Sequence, residues 1–347
     1  MADVAALAGV ALKSVSRVIN NEMHVSPRLR SRVEAAIAEL NYVPDAAART
    51  LAGGRSFTVS VLFGQGGVAD SMNVATGAYQ PCPNYVTKVV AGAYQACAER
   101  QYKLQIDQIK LNLPHSAMRR QFDLLLRNSR GFALILTPPL TDNEPLLDYL
   151  DAHGLKYARL APASSPDRSP RAWIDDAAAG AMIADYLWSR GHRRLGLVNG
   201  PLSHSAAINR RQGFIDRVKT LDPAAIVDEV AGDFTFETGI VAGTALLAKP
   251  ARPTAIFATN DDSACGVMVA CRQFGLEIPR DISICGFDDS GAATSVWPYL
   301  TTVRQPIEEM AYAATCMLIG RGTPETGSDA VQLDFRLIER DSVANAP

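Results

Sequence analysis

The part of the chain that begins at Thr58 alternates between short, mainly apolar runs and longer amphipathic stretches. Such apolar runs are typical of parallel strands that are buried on both faces by helices. The segment 58–347 is longer than one such sheet usually takes, so we predict an α/β core of two subdomains, each a doubly wound parallel sheet. The predicted strands are Val59–Phe63, Leu104–Ile106, Phe132–Leu136, Tyr157–Leu160, Leu195–Val198, Ala255–Ala258 and Ile282–Phe287. The predicted helices between them include Val86–Arg100, Ala117–Arg127, Ala177–Ser189 and Ala264–Phe274.

The composition of the 347-residue chain indicates a folded protein and excludes several classes. Apolar residues make up 48% of it and charged residues 20%, which is too apolar for general disorder. We find no signal peptide and no apolar run of about eighteen residues, so we predict a cytoplasmic protein that does not contact a membrane. The chain has 5 histidines, and none of its cysteines forms a CxxC pair, so we expect no metal site and no cofactor.

The first sixty residues are predicted to form short helices rather than strands. Asp3 can cap a first helix, Gly9 supplies a turn, and a second helix over 11–19 carries apolar residues at spacings of three and four. Ser26 and Pro27 predict the start of a third helix, because the hydroxyl accepts from backbone N–H groups and the ring pre-sets φ. Two short helices joined by a turn with Gly match a helix-turn-helix, although helices of this size also serve as a packing scaffold. The seven basic and five acidic residues of 1–56 permit DNA binding without arguing for it.

The amino-acid sequence of this segment, compared position by position, distinguishes these alternatives. The stretch DVAALAGVALKSVSRVINNEMHVSPRLRSRVEAAIAELNYVPDAAARTLAGG resembles, nearly position for position, the DNA-binding headpiece of the lactose/galactose repressor family. The resemblance implies a helix-turn-helix headpiece over 1–44, followed by a hinge helix and linker over 45–57. It also implies that the second helix enters the major groove, with Leu12 and Lys13 facing base edges. The other DNA contacts that it implies come from Ser14, Ser16, Arg17, Asn20, His24, Ser26 and Tyr42.

The hinge carries a second readout in the family. The resemblance implies that Ala48 and Leu51 lie in the minor groove, where Leu51 of each subunit opens the central base step. A helix of about seven residues is marginal alone in water, so we expect 45–52 to be poorly ordered without DNA. The alternative is that Leu51 is a core residue of a small linker helix.

The rest of the chain resembles the periplasmic-binding-protein-like core of the same family. The matching stretches are RGHRRLGLVNGP, RRQGF, PTAIFATNDDSACGV, IPRDISICGFDD and PYLTTVRQP. The resemblance implies an effector-binding and dimerisation core over 58–347, in which the chain crosses between the subdomains near 173, 292 and 324. The N-subdomain would comprise about 58–173 and 293–324, and the C-subdomain about 174–292 and 325–340.

Polar residues that follow the predicted strands are the candidates for the effector site, because ligands of such folds bind outside the carboxyl ends of the strands. Asp288 and Arg210 suit the vicinal hydroxyls of a sugar, since a carboxylate accepts and a guanidinium donates in a fixed fork. The alternative is that an Asp after a strand merely caps a helix, which we expect of Asp261, Asp262 and Asp289. The effector-binding residues implied by the resemblance are Asp288, Arg210, Asn260, Asp175, Phe234 and Tyr85.

The sequence leaves some points open. The Gly-rich loop 64–84 is either a lid that shapes ligand choice or a tolerated insertion. GQGG at 64–67 does not complete a GxGxxG pattern, and neither a phosphate loop nor a GxSxG elbow occurs, so we predict no enzyme activity. The prediction is a homodimeric repressor of carbohydrate genes that binds a pseudo-palindromic operator and responds to a saccharide, with purines as the less common effector class. The alternative is a binding protein for transport or sensing without a DNA role.

Overall fold

The computed structural model describes residues 1–19, 25–40, 42, 58–65, 83–111, 113, 115–128, 133–320 and 328–346. Contacts divide the chain into two compact units, Met1–Phe57 and Thr58–Pro347, and each is described by itself. No helix among the described residues is long and apolar enough to cross a membrane.

The described residues of the first unit form three short helices: α1 (Ala2–Ala8), α2 (Leu12–Ile19) and α3 (Pro27–Glu39). Val4, Val15 and Val33, one from each helix, are fully buried and form the centre of its core. The predicted cap at Ser26 is confirmed, since its hydroxyl accepts from Leu29 N–H at 3.4 Å. The predicted cap at Asp3 is wrong, because α1 begins at Ala2 and Asp3 lies within its first turn.

The carboxyl end of α1 is closed by an arginine from α3. Gly9 adopts φ 61°, which reverses the chain after Ala8. Arg32 Nη2 donates to the Ala8 carbonyl at 2.6 Å and to the Gly9 carbonyl at 3.3 Å. Arg32 therefore satisfies carbonyls that have no partner inside the helix and ties α1 to α3.

The second unit contains two parallel sheets, as predicted. The order of the first sheet is β11-β5-β4-β3-β1-β2, and that of the second is β7-β6-β8-β9. The antiparallel pair β10 and β12 forms a separate ribbon. The strands are β1 (Thr58–Gln65), β2 (Lys103–Lys110), β3 (Ala133–Leu136), β4 (Lys156–Leu160), β5 (Arg171–Trp173), β6 (Leu195–Asn199), β7 (Val227–Ala231), β8 (Ala255–Ala258), β9 (Ser283–Cys285), β10 (Thr302–Arg304), β11 (Ala330–Gln332) and β12 (Arg336–Ile338).

Helices cover both sheets, and we call each sheet with its helices the first and the second subdomain. Three helices pack on the first sheet through one apolar face each, and α11 joins them after the chain returns from the second subdomain. The helices are α4 (Pro83–Glu99), α5 (His115–Asn128), α6 (Glu144–Ala152), α7 (Asp176–Ser189), α8 (Ser205–Leu221), α9 (Phe236–Leu247), α10 (Asp261–Gln273) and α11 (Ile307–Leu318).

One segment differs from the expected division of the core. The expected C-subdomain includes 325–340, with a crossing near 324. Strand β11 instead extends the first sheet, because Ala330–Gln332 pairs in parallel with β5. The third crossing therefore follows β11, and β12 then pairs with β10.

Close helix packing in the second subdomain depends on two glycines. A Cβ on Gly180 of α7 would lie 2.1 Å from the Arg210 carbonyl oxygen of α8. A Cβ on Gly213 of α8 would lie 1.9 Å from the Ala177 carbonyl oxygen of α7. Only glycine at both positions allows the two backbones to touch, and this contact fixes the backbone that carries Arg210.

Candidate functional site

A cavity lies between the carboxyl ends of the two parallel sheets. Its empty space is about 530 Å³, counting its mouth to solvent. Its walls come from both subdomains, and half of the lining residues lie within three residues after the end of a strand. The lining residues are Phe63, Gly64, Tyr85, Pro138, His204, Arg210, Phe234, Asn260, Asp288 and Gln305.

Arg210 is the most extensively bonded side chain of the cavity. Its Nε donates to Asp176 Oδ1 at 2.7 Å, its Nη1 to the Thr259 carbonyl at 3.0 Å and its Nη2 to Gln305 Oε1 at 2.8 Å. The guanidinium carbon lies 3.7 Å from the centre of the Phe287 ring. With only 4% of the residue exposed, the guanidinium is held rigidly before any ligand arrives.

Asp288 is the acceptor that faces Arg210. Its Oδ1 lies 3.7 Å from Arg210 Nη1, too far for a hydrogen bond but close enough for attraction. The residue is buried and adopts φ 108°, and its N–H is fixed by the Val303 carbonyl at 2.9 Å. Burial raises the pKa of the Asp288 carboxyl to about 7, although the charges of Arg210 and Lys88 oppose the rise. The Asp288 carboxyl, buried and facing Arg210, can accept hydrogen bonds from ligand hydroxyls.

Asn260 and Phe234 are coupled through the backbone. Asn260 caps α10 by accepting from Ser263 N–H at 3.1 Å, and its Nδ2 donates to the Phe234 carbonyl at 2.9 Å. Phe234 adopts φ 72°, which is rare outside glycine. Its ring lies against the backbone of Gly200, where a Cβ would be 2.3 Å from Phe234 Cζ. The Asn260 side chain thus has both a capping role and a place on the cavity wall.

Two of the predicted effector residues have contrasting positions. Tyr85 of α4 lines the cavity. Asp175 does not: it is exposed and caps α7 by accepting from Ala178 N–H at 2.8 Å. The next residue, Asp176, is the one whose carboxylate pairs with Arg210. Sequence order alone could not distinguish the two, because the capping residue turns outward while the first helical residue turns inward.

The expected capping role of Asp261 and Asp289 is also corrected. Asp261 is fully buried, and it accepts from Ser290 N–H at 2.6 Å and from the Thr302 hydroxyl at 2.6 Å. Burial and the nearby Asp288 raise the pKa of the Asp261 carboxyl to about 8. Asp289 pairs with Arg304 at 2.6 Å and with Arg340. Both acids join loops behind the cavity.

Sequence reasoning missed two polar residues of the cavity. Gln305 follows β10 and accepts from Arg210, but the three-residue strand before it gives no pattern. His204 follows β6 by five residues, and its ring lies edge-on to Phe234 with centroids 5.0 Å apart. His204 Nδ1 is buried without a hydrogen-bond partner among the described residues. Burial, reinforced by the charge of Arg210, lowers the pKa of His204 to about 3, so the ring is neutral.

Helix α2 of the first unit presents the predicted DNA-facing residues. Val15 and Val18 are buried and orient the helix, while Leu12, 52% exposed, and the charged Lys13 and Arg17 lie on the outside. Ser14 and Ser16 are half-buried, Ser26 caps α3, and Tyr42 packs on the three-helix core. Asn20, His24, Ala48 and Leu51 lie outside the described residues, as does most of the loop 64–84.

Comparison with known proteins gives the family. The profile described as "Bacterial regulatory proteins, lacI family" matches residues 1–45, and that of a periplasmic binding protein-like domain matches 184–343. The ribose operon repressor of Escherichia coli strain K12 is 33% identical over 346 residues, which cover 99% of each chain. The chain belongs to the lacI family. The HTH-type transcriptional repressor PurR of Proteus mirabilis is 32% identical over 352 residues, covering 99% of this chain and 97% of that protein.

Solved structures of lacI-family proteins share the whole fold. A lac repressor dimer bound to operator and the anti-inducer ONPF is 26% identical, with a TM-score of 0.71 over 99% of this chain and 98% of that one. The complex of the transcriptional regulator CelR with cellobiose is 28% identical, with a TM-score of 0.69 over 98% of both chains. The helix-turn-helix and the two-sheet core of this chain are therefore those of the lacI family.

Proposed function

We propose that this protein is a transcriptional repressor of carbohydrate uptake or catabolism genes, controlled by a small molecule in the cavity. One observation carries the proposal: a single chain joins a helix that exposes Leu12, Lys13 and Arg17 to a preformed polar cavity around Arg210 and Asp288. No catalytic role is part of the proposal, since the relatives named above are repressors and regulators.

The proposed effector is a saccharide. Arg210 and Asp288 offer a donor and an acceptor side by side, which matches neighbouring hydroxyls on a ring. Phe234 and Tyr85 supply aromatic surface against which a sugar ring can pack. The names of the ribose operon repressor and of the CelR–cellobiose complex agree with this class. A purine is the second candidate, because the similar PurR repressors are named for it and the same aromatic surfaces suit a flat base.

The proposed DNA complex is a dimer on a pseudo-palindromic operator in the cytoplasm, in line with the lac repressor dimer bound to operator. Leu12 and Lys13 would read base edges, and Ser14, Ser16, Arg17, Asn20, His24, Ser26 and Tyr42 would fix the headpiece on the backbone. The segment 45–57 would act as the hinge, with Ala48 and Leu51 in the minor groove. Asp175, exposed and engaged in capping, is no longer part of the proposed effector site.

The experiment that tests this proposal is selection of duplex DNA from a randomised pool by the purified chain. The expected result is enrichment of an inverted repeat, and loss of that enrichment in Lys13→Ala. Lys219→Ala is the matched control, because Lys219 belongs to α8 in the core and donates to the Ala225 carbonyl. A chain that enriches no sequence would overturn the proposal and favour a binding protein without a DNA role.

A thermal-shift screen with ribose, cellobiose and purine bases tests the effector class. A ligand present at 100 times its Kd adds about 2.7 kcal/mol to the stability of the folded state, which raises Tm visibly. A sugar that raises Tm for the native chain but not for Asp288→Asn supports the proposed site. A purine that does so instead selects the second candidate.

A further inference from the structure

One side chain of the first subdomain reaches across the cavity mouth to the second. Asp142 ends the 3-10 turn Leu140–Asp142 that follows β3, and its Oδ2 accepts from the Ser205 hydroxyl at 2.6 Å. Ser205 is the first residue of α8, the helix that carries Arg210. Ser205 also comes directly after His204, which lines the cavity. This hydrogen bond therefore joins the two walls of the cavity at a point next to the ligand space.

The Asp142 carboxylate is held in place by its own subdomain. Its Oδ1 accepts from Ala163 N–H at 3.0 Å, from Ser164 N–H at 2.9 Å and from the Ser164 hydroxyl at 2.9 Å. Burial raises the pKa of the Asp142 carboxyl, but the hydrogen bonds from Ser205, Ser164 and Ala163 outweigh it, and the pKa is lowered overall. A carboxylate that is charged at neutral pH and fixed by three donors is a preorganised acceptor for Ser205.

The loop that supplies these donors is fixed from its other side. Arg159 of β4 is fully buried and donates to the Thr141, Ser164 and Ser165 carbonyls at 3.2, 2.9 and 2.5 Å. The backbone of Ser164 thus donates to an anion and accepts from a buried cation. Arg159 and Asp142 together make the loop rigid, so the position of the carboxylate does not depend on the second subdomain.

The Asp142 carboxylate that accepts from Ser205 also lies at the N-terminus of α8, where a negative charge is favourable. The N-terminus of α8 carries partial positive charge, and an anion beside it stabilises the first turn. The cap residue His204 makes no side-chain cap hydrogen bond, so an acceptor from the neighbouring subdomain adds a favourable interaction at this end. Further hydrogen bonds among the described residues join α4 to the second subdomain: Asn84 Nδ2 donates to Asp262 Oδ1 at 3.2 Å, and Lys88 Nζ donates to the Asp289 and Asp288 carbonyls at 2.8 and 3.3 Å.

We propose that Asp142 is a positioning residue of the effector site: through Ser205 it holds α8, and with it His204 and Arg210, in the closed arrangement of the two subdomains. The proposal rests on the proposed function only in treating the cavity as the effector site. Breaking the bond would let the subdomains separate more often on the side of Ser205. The contacts of Asn84 and Lys88 would remain, but they lie on the α4 side and do not hold α8.

The test measures closure directly and needs neither DNA nor an effector. Spin labels on Leu124→Cys of α5 and Val241→Cys of α9, both more than half exposed, report the distance between the subdomains by double electron–electron resonance. Both labels are introduced into a chain in which Cys82 is replaced by serine. Labelled chains are diluted in excess unlabelled chains, so that each distance is measured within one chain. We expect longer and broader distances in Ser205→Ala and in Asp142→Asn, and the native distribution in Ser205→Thr, which keeps the hydroxyl.

Ser203→Ala is the matched control, since Ser203 is exposed two residues before Ser205. If Ser205→Ala gives the same distance distribution as the native chain and as Ser203→Ala, the proposal is overturned. Where the screen has found a sugar, its Kd should rise about tenfold in Ser205→Ala and return in Ser205→Thr, as expected for one hydrogen bond to a charged group. Failure of DNA selection in the native chain would instead count against the proposed function alone.

Discussion

Replacing Arg210 by methionine tests the energetic basis of the cavity. Methionine fills similar space but removes the donors to Asp176, Thr259 and Gln305 and the cation over Phe287. Asp176 then remains buried without its partner, since it is 6% exposed. Removing one member of a buried ion pair typically costs about 3–5 kcal/mol. At about 2–4 °C per kcal/mol for a domain of this kind, Tm should fall by about 6–20 °C.

The buried Asp176 carboxylate, left without its partner, is expected to cause most of this loss of stability. The double variant Arg210→Met, Asp176→Asn carries no charge there and should recover a large part of it. Linkage gives the second signature: burial already raises the pKa of Asp176, and without Arg210 the pKa rises further. A folded pKa above the unfolded one gives stability at low pH that is lost as pH rises, so Arg210→Met should lose less at pH 5 than at pH 8.

The assay is urea unfolding followed by circular dichroism, with native chain, both single variants and the double variant at each pH. A loss in Arg210→Met below about 1 kcal/mol would refute the reasoning, as this is the size of one ordinary hydrogen bond. Additive losses in the double variant would also refute it, because they would mean that Arg210 and Asp176 do not interact.

Other predictions rest on separate contacts. Gly213→Ala should destabilise the core by about 1–3 kcal/mol in urea unfolding, because its Cβ would lie 1.9 Å from the Ala177 carbonyl oxygen, whereas Gly291→Ala, whose Cβ would meet only Asn84 Oδ1 at 3.7 Å, should be near neutral. Arg32→Ala should reduce the local stability of α1 by about 1 kcal/mol and so speed amide hydrogen exchange throughout this helix, whereas Arg28→Ala should leave the exchange rates unchanged. Equal exchange rates in the two variants would exclude the capping role. The pKa of about 7 at Asp288 lies above the ordinary value, so its contribution to stability should fall as pH rises toward 7, and calorimetry should find tighter binding of a sugar at pH 8 than at pH 6, a trend absent in Asp288→Asn. Leu51→Ala should weaken binding to the selected operator more than binding to random duplex in anisotropy titrations, and equal weakening of both would contradict a minor-groove role.

The sequence predicted strands β1 to β4, β6, β8 and β9, but not β5, β7, β10, β11 and β12. Ala255–Ala258 is a continuous apolar run because helices cover both faces of its sheet, so the pattern is strong. Strand β7, VDEVA, is half-exposed at the edge of its sheet and has two acids side by side, which hides it. Strands β5, β10, β11 and β12 span three residues each, too few to show a period.

The candidate site was predictable where a rule about strand ends applied. Asn260 and Asp288 lie shortly after the ends of β8 and β9 and do line the cavity. The same rule failed for Asp175, because one step along the chain separates an outward cap from the inward Asp176. Contacts between distant parts of the chain, such as Asp142 with Ser205 or Arg32 with Ala8, leave no local pattern and could only be found from the structure.

The proposed function requires that a molecule in the cavity changes the affinity of α2 for DNA. This is measured by an anisotropy titration of the selected operator duplex with and without a saturating small molecule from the thermal-shift screen, at one fixed salt concentration. The expected result is a change in operator affinity of about 5–150-fold, in either direction, that is lost in Asp288→Asn. An operator affinity that is the same with the bound molecule as without it would mean that the cavity does not control DNA binding.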